Sequence, residues 1–225
     1  MKITFYGHAS LGIEIGGTNL LVDPFISQNP KASDIDIDTL KADYILVTHA
    51  HQDHILDVEA IAKRTDAVVV SNFEIASFYD SKGIKNHPMN HGGKWYFDFG
   101  LVKYVNAIHT SSFPDGSYGG QPGGFVIQAN GKTVYIAGDT ALTLDMKLIP
   151  KFFDIDLAIL PIGDNFTMGV EEAIAASDYV KCDKVLGVHF DTFDYIKIDS
   201  KKALAKFLSK SKDLLLLDIG DSLEV

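Results

Sequence analysis

YILVTHAHQDHILDVEAIAKR, residues 44–64, changes character twice. Tyr44 to Thr48 is β-branched and apolar, as expected of a buried strand. From Leu56 to Arg64, the apolar residues Val58, Ile61 and Ala62 share one face at helical spacing. Between the two stand His49, His51, Asp53 and His54, so three of the chain's eight histidines fall within six consecutive positions. In extended backbone His49 and His51 point the same way, and both imidazoles can meet one ion. Asp53 and His54 lie at the turn into the helix, where they can face a second ion nearby. A charged cluster directly after a buried strand belongs at a sheet edge, where α/β folds commonly place their sites.

Working outward, KITFY, LGIEI and NLLVD read as short strands, the last two joined through Gly16 and Gly17. DPFISQNPKASDIDID is polar, holds two prolines and reads as a long loop. AVVVS reads as a strand and NFEIASFYDSKG as a helix stopped at Gly83. LVKYVNAIH reads as a strand ending at His109, and GFVIQANGKTVYIAGD as a hairpin turning at Asn130 and Gly131. Helix DMKLIPKFF, strand LAILPI, helix GVEEAIAASDYVK, strand KVLGVHF, helix SKKALAKFLSK and strand LLLLDI follow. The hairpin IEIGGTNLLVD is echoed by VIQANGKTVYIAGD, each ending in an aspartate. The pattern predicts one α/β domain over residues 1–225, two sheets face to face with helices outside.

Composition narrows the partners. Twenty Lys plus Arg against 30 Asp plus Glu leave a formal net charge of -10. With no basic patch to offset it, that field argues against a nucleic-acid partner. Arg64 is the only arginine, so a guanidinium clamp for phosphate is nearly excluded. The single cysteine, Cys182, fits a reducing compartment and a small packed residue. MKITFYGHASLGIE lacks the apolar stretch of a signal peptide, and no later run is long enough to span a bilayer. A cytoplasmic protein with a small-molecule substrate, without nucleic-acid or membrane partners, is the expectation.

HxHxDH, matched by His49, His51, Asp53 and His54, resembles the signature of the metallo-β-lactamase superfamily. The resemblance covers nearly the whole chain, with His109, Asp139 in IAGDT and His189 in LGVHFDTF following in order. It implies a four-layer αββα sandwich of two mixed sheets flanked by helices. It also implies that His49, His51 and His109 hold one metal and Asp53, His54 and His189 a second, with Asp139 bridging. YGHAS, LLVDPF and PIGDNFTMG resemble a branch of small metal-dependent hydrolases. Relatives of that branch include the ascorbate-6-phosphate lactonase and the phospholipase that cleaves N-acyl phosphatidylethanolamine. Superfamily members often self-associate, which leaves a homo-oligomer open. Two departures stand out. Leu56 replaces a glycine common in that region and is expected to narrow the approach to the second metal. Gln52 stands where the oxygen-reducing diiron branch has glutamate, which counts against redox chemistry.

Imidazole and carboxylate donors without thiolate suit zinc, manganese, iron or nickel, zinc being the first expectation. Two such ions can hold a bridging hydroxide near neutral pH and polarise the substrate oxygen, so no serine or cysteine nucleophile is needed. The expected reaction is hydrolysis of a small-molecule ester, lactone or phosphodiester, with Asp53 and His8 as catalytic candidates. His8 in YGHAS is a candidate to touch substrate or protonate a leaving group, since imidazole titrates near neutral pH. Asp23 is a candidate to orient a ligand histidine, against a plain turn role before Pro24. Asp164 and Asn165 are weaker candidates, and Thr167 is expected to cap the following helix. His87 and His91 are expected to be structural. The glycine-rich segment 110–124 is expected to border the site, as a lid or a passive connection. The alternative is a non-catalytic metal-binding or sensor protein on the same fold, although no expected ligand is missing.

Overall fold

In the computed structural model, which describes residues 1–225, adjacent residues of one strand feed two different cores. Ile45 and Leu46 are both fully buried and face opposite sides of their sheet. Ile45 packs with Val58, Ile61 and Ile75 under helices, whereas Leu46 packs with Val70, Phe125 and Ile136 between sheets. Strands sandwiched in this way must be apolar on both faces. LAILP, Leu157–Pro161, is accordingly buried at every position.

The first sheet contains β1 (Lys2–Phe5), β2 (Leu11–Ile15), β3 (Thr18–Val22), β4 (Tyr44–Leu46), β5 (Val68–Asn72) and β6 (Asn86–Met89). The second contains β7 (Lys94–Phe97), β8 (Gly100–Asn106), β9 (Gly123–Ala129), β10 (Lys132–Ile136), β11 (Leu157–Pro161), β12 (Lys184–Val188) and β13 (Asp213–Leu215). β14 (Ser222–Glu224) returns to pair antiparallel with β1 and makes the first sheet seven-stranded too. Helices α1 (Gln52–Ile55), α2 (Val58–Thr65) and α3 (Phe73–Asp80) lie in the first half, α4 (Val170–Val180) and α5 (Ser200–Ser209) in the second. The outer core of the first sheet includes α2 and α3 residues, and that of the second includes Ala173, Ala176, Ala203 and Phe207 of α4 and α5. The result is a four-layer αββα sandwich of two mixed sheets.

The hairpin echo is structural. β2–β3 is antiparallel and leads into parallel β4, and β9–β10 is antiparallel and leads into parallel β11. Asp23 and Asp139 therefore leave the ends of corresponding strands.

Several expected elements differ. DMKLIPKFF is not an α-helix but a 3₁₀ segment, Leu144–Lys151, with Pro150 inside it. Proline lacks the N–H and clashes with the preceding turn of an α-helix. The strand expected to end at His109 stops at Asn106, and β6, β7 and β14 arise where no strand was expected. Gly169, not Thr167, caps α4, its N–H donating to Glu172 Oε2 at 3.1 Å. No helix is long and apolar enough to cross a membrane.

Candidate metal centre

Ten non-glycine residues of the chain adopt left-handed backbone, three of them around the centre: His8 at φ 56°, Asp23 at φ 44° and His189 at φ 56°. That region is sparsely populated by L-residues, and such strain collects at functional sites. Each kink turns its side chain into the space where the two sheets meet. The His189 N–H donates to the His8 carbonyl at 2.7 Å, joining the sheets across the centre. Gly163 permits this, because a Cβ there would stand 2.1 Å from the His189 carbonyl oxygen.

His49, His51 and His109 have ring nitrogens within 4.8 Å of one another, as do the donor atoms of His8, Asp53, His54 and His189. A third group, His49, His54 and Asp139, links the two sets. Asp139 Oδ2 is 3.0 Å from His189 Nε2, 3.5 Å from His54 Nε2, 3.6 Å from His109 Nε2 and 4.0 Å from His49 Nε2. Asp53 Oδ2 lies 3.0 Å from His8 Nε2, 3.8 Å from His54 Nε2 and 3.9 Å from His189 Nε2. All seven residues expected to surround the ions thus converge.

Hydrogen bonds fix which nitrogen faces inward. His54 Nδ1–H donates to Asp23 Oδ2 at 2.9 Å, leaving Nε2 toward the centre. Asp23 also accepts from the Thr48 N–H at 2.8 Å and from Thr48 Oγ1 at 2.6 Å. With its proton committed to Asp23, Thr48 Oγ1 accepts from His49 Nδ1–H at 3.0 Å. His49 Nε2 then also faces inward. Asp23 therefore touches a histidine of the cluster, as the orienting role requires.

The electrostatics follow from burial. Burial would lower the His54 pKa, but Asp139, Asp23 and Asp53 outweigh it and hold the imidazole well above its ordinary value. Burial would raise Asp139 and Asp53, yet the surrounding histidines hold both carboxyls low. His49 is driven well below its usual range, chiefly by burial and then by His54. Three carboxylates thus share a buried cluster whose only basic partners are imidazoles. His54 Nε2, His189 Nδ1 and Asp139 Oδ1 are buried with no hydrogen-bond partner. His54 Nε2, unpaired within the cluster, and the excess negative charge of the carboxylates are what a divalent cation would satisfy, displacing the proton that those carboxylates otherwise hold on His54, so these residues fit a metal.

His8 is 2% exposed and stands behind Asp53. Burial, with the neighbouring His189, pushes its pKa down to about 4 against the pull of Asp53. Neutral His8 donates from Nε2 to Asp53 and accepts at Nδ1 from Thr192 Oγ1, both at 3.0 Å. It does not line the cavity over the centre and reaches it only through Asp53. Asp164 and Asn165 are exposed and lie outside that cavity as well, in a turn of left-handed residues at φ 62° and 56°. Leu56 does not border it either.

The cavity, about 540 Å³, is walled by Phe113, Pro114, Phe166 and Phe193, with Gln52, Thr110 and Ser112 supplying polar groups. No lysine or arginine lines it. None of the phenylalanines was singled out from sequence; Phe166 carries a faint signal as an apolar residue within the polar run GDNFT. Asp57 was also missed. It accepts from the Ile26 and Ser27 N–H groups at 2.6 and 2.9 Å and from the Ser27 hydroxyl, tying the 24–29 loop to the metal-binding turn. The 110–124 segment does border the cavity. Its base is pinned by Asn72 Nδ2, which donates to the Gly119 and Gln121 carbonyls at 2.9 and 3.1 Å. His87 packs on Trp95, and His91 Nε2–H donates to the Pro122 carbonyl.

A family model described as "Beta-lactamase superfamily domain" matches residues 18–190. A UPF0173 metal-dependent hydrolase of Flavobacterium johnsoniae is 68% identical over 225 residues, covering 100% of both chains. One from Christiangramia forsetii is 67% identical over 226 residues, again covering 100% of both. Among solved structures, Igni18, a metallo hydrolase from the archaeon Ignicoccus hospitalis, superposes with a TM-score of 0.90 at 31% identity, covering 100% of this chain and 98% of its own. With its converging histidines and aspartates, this chain belongs to the UPF0173 metal-dependent hydrolase family, within the β-lactamase superfamily.

Proposed function

We propose that this hydrolase works with two divalent cations, zinc first among them, on a neutral small-molecule ester or lactone. One observation carries the reading: a single oxygen, Asp139 Oδ2, lies within 4.0 Å of Nε2 atoms from both histidine sets. His49, His51 and His109 would hold one ion, Asp53, His54 and His189 the other, with Asp139 reaching both. The cations would supply a water-derived nucleophile near neutral pH and polarise the substrate's oxygen. The chain's own contribution is placement. Asp23 and Thr48 keep His54 and His49 in the tautomers that face the ions, and His8 holds Asp53. The phenylalanine walls, with Phe113 buried and Phe166 and Phe193 exposed, receive the apolar part of the substrate. A buried single cysteine is in keeping with a cytoplasmic setting.

The cation-free wall separates substrate classes. A phosphodiester anion would find no side-chain cation, whereas a neutral acyl group needs none. A panel of lactones, thioesters and bis-aryl phosphodiesters, assayed with zinc, manganese, nickel and iron, should show the carbonyl compounds turned over faster. Phosphodiester cleavage without any carbonyl turnover would reverse the preference.

The position of His8 gives a second test. As a group that positions Asp53, its loss in His8→Ala should weaken retention of one ion by roughly 10–100-fold, and turnover should recover at high metal concentration. Normal metal retention with turnover reduced ~10²–10⁴-fold would instead make His8 a proton-transfer group.

A further inference from the structure

A second cavity, of about 370 Å³, shares no lining residue with the one over the metal centre. It opens on the outer face of the second sheet. Lys103 and Tyr135 are each paired with Val126 of the intervening strand, so the three stand in one row on the same face. The cover over this row is the 3₁₀ segment Leu144–Lys151, not the α-helix expected from sequence. A 3₁₀ run is tighter than an α-helix, and here it leaves the space beside Val105, Ile149 and Phe152 unfilled.

The wall is built for more than apolar packing. Tyr135 is fully buried, and its hydroxyl has no hydrogen-bond partner. Buried tyrosine hydroxyls normally find one, because leaving the group unpaired is costly. Tyr104, buried in the neighbouring strand, obeys the rule by donating to the Thr48 carbonyl at 3.0 Å. Lys103 is the only lysine or arginine lining the cavity. Its Nζ donates to the Gly92 carbonyl at 2.7 Å, which leaves two N–H groups free. The one acidic lining residue, Asp145, is already engaged by Asn106 Nδ2 at 2.8 Å.

We propose that this cavity binds a small amphipathic carboxylate. Its apolar body would lie against Val105, Ile149 and Phe152, and its carboxylate would meet the Lys103 ammonium and, once the wall gives way over it, the fully buried Tyr135 hydroxyl. The volume falls at the lower end of small-molecule pockets, roughly 300–1,000 Å³. Charge complementarity selects an anion over a neutral lipid, and the unpaired hydroxyl selects a ligand with an oxygen acceptor.

Decanoate and decan-1-ol, titrated calorimetrically into the metal-loaded full chain, test the proposal, with Lys103→Met and Tyr135→Phe as variants. One decanoate should bind per chain, more tightly than decanol. Affinity should fall by about 10-fold or more in Lys103→Met and about 5-fold in Tyr135→Phe, as expected for a charged and a neutral hydrogen bond. Decanol affinity should be indifferent to Lys103→Met, and turnover should be unchanged in both variants. Tyr135→Phe should melt no lower than the parent, because the hydroxyl it removes has no partner. Three results would overturn the proposal: no decanoate binding, binding insensitive to both substitutions (as at the metal centre), or equal binding of the alcohol. A dimer that Phe152→Ser converts to monomer, without decanoate binding, would assign the surface to a second copy of the chain.

Discussion

Replacing Asp139 by alanine is expected to abolish turnover and strip metal from the protein in the same step. Its Oδ2 faces four imidazoles at 3.0 to 4.0 Å, and no other carboxylate reaches both histidine sets. Groups one step removed from a metal already cost roughly 10–100-fold in affinity when lost, so a carboxylate inside the cluster should cost more. The loss should not look like unfolding. The site lies at strand ends, and the cores between and outside the sheets do not depend on Asp139. Elemental analysis beside an activity assay and a melting curve separates the outcomes. A folded Asp139→Ala protein with parental metal content and turnover would remove this residue from the centre.

The second large effect is expected from Asp23→Asn, a change of one atom. Asp23 is 1% exposed and accepts three hydrogen bonds, from the Thr48 N–H, Thr48 Oγ1 and His54 Nδ1. An asparagine amide has only one acceptor oxygen. Whichever way it is turned, its NH₂ meets either the Thr48 N–H or the Thr48 Oγ1 and His54 Nδ1 pair. In the second orientation the His54 proton is driven to Nε2, the nitrogen that faces the cluster. In the first, two buried donors face each other. Either way stability should fall by about 2–3 kcal/mol, a drop of about 4–12 °C in Tm for a chain of this size. Metal retention should fall as well. Thermal melts with and without added zinc check this, and a variant matching the parent in both would leave Asp23 a plain turn residue.

What the sequence disclosed about this site depends on how locally its parts are encoded. His49, His51, Asp53 and His54 are contiguous, and one strand-to-helix turn presents them together, so spacing alone pointed to a metal. His109, Asp139 and His189 are scattered, and only their order after strands, together with the family likeness, suggested them. The burial of His8 was not legible, because it depends on Thr192 and Asp53, which lie far from it in sequence. The left-handed backbone of His8, Asp23 and His189 was not legible either, since none is a glycine. Asp164 and Asn165 were the weaker candidates, in the run GDNFTMG before a helix, but their turn exposes them, and Phe166 lines the cavity instead. The layers followed from alternation and buried runs. The strands that escaped notice are short sheet-edge or closing strands: β6 contains a proline, and β14 finds its partner at the other end of the chain.

Counting bound ions distinguishes a two-ion centre from any other arrangement of these residues. The protein, purified without chelator and analysed for metals, should carry about two divalent ions, with hydrolysis lost on chelation and restored by the second equivalent added back. Fewer than one ion per chain, with no hydrolysis rescued by zinc, manganese, nickel or iron, would rule out a two-ion hydrolase.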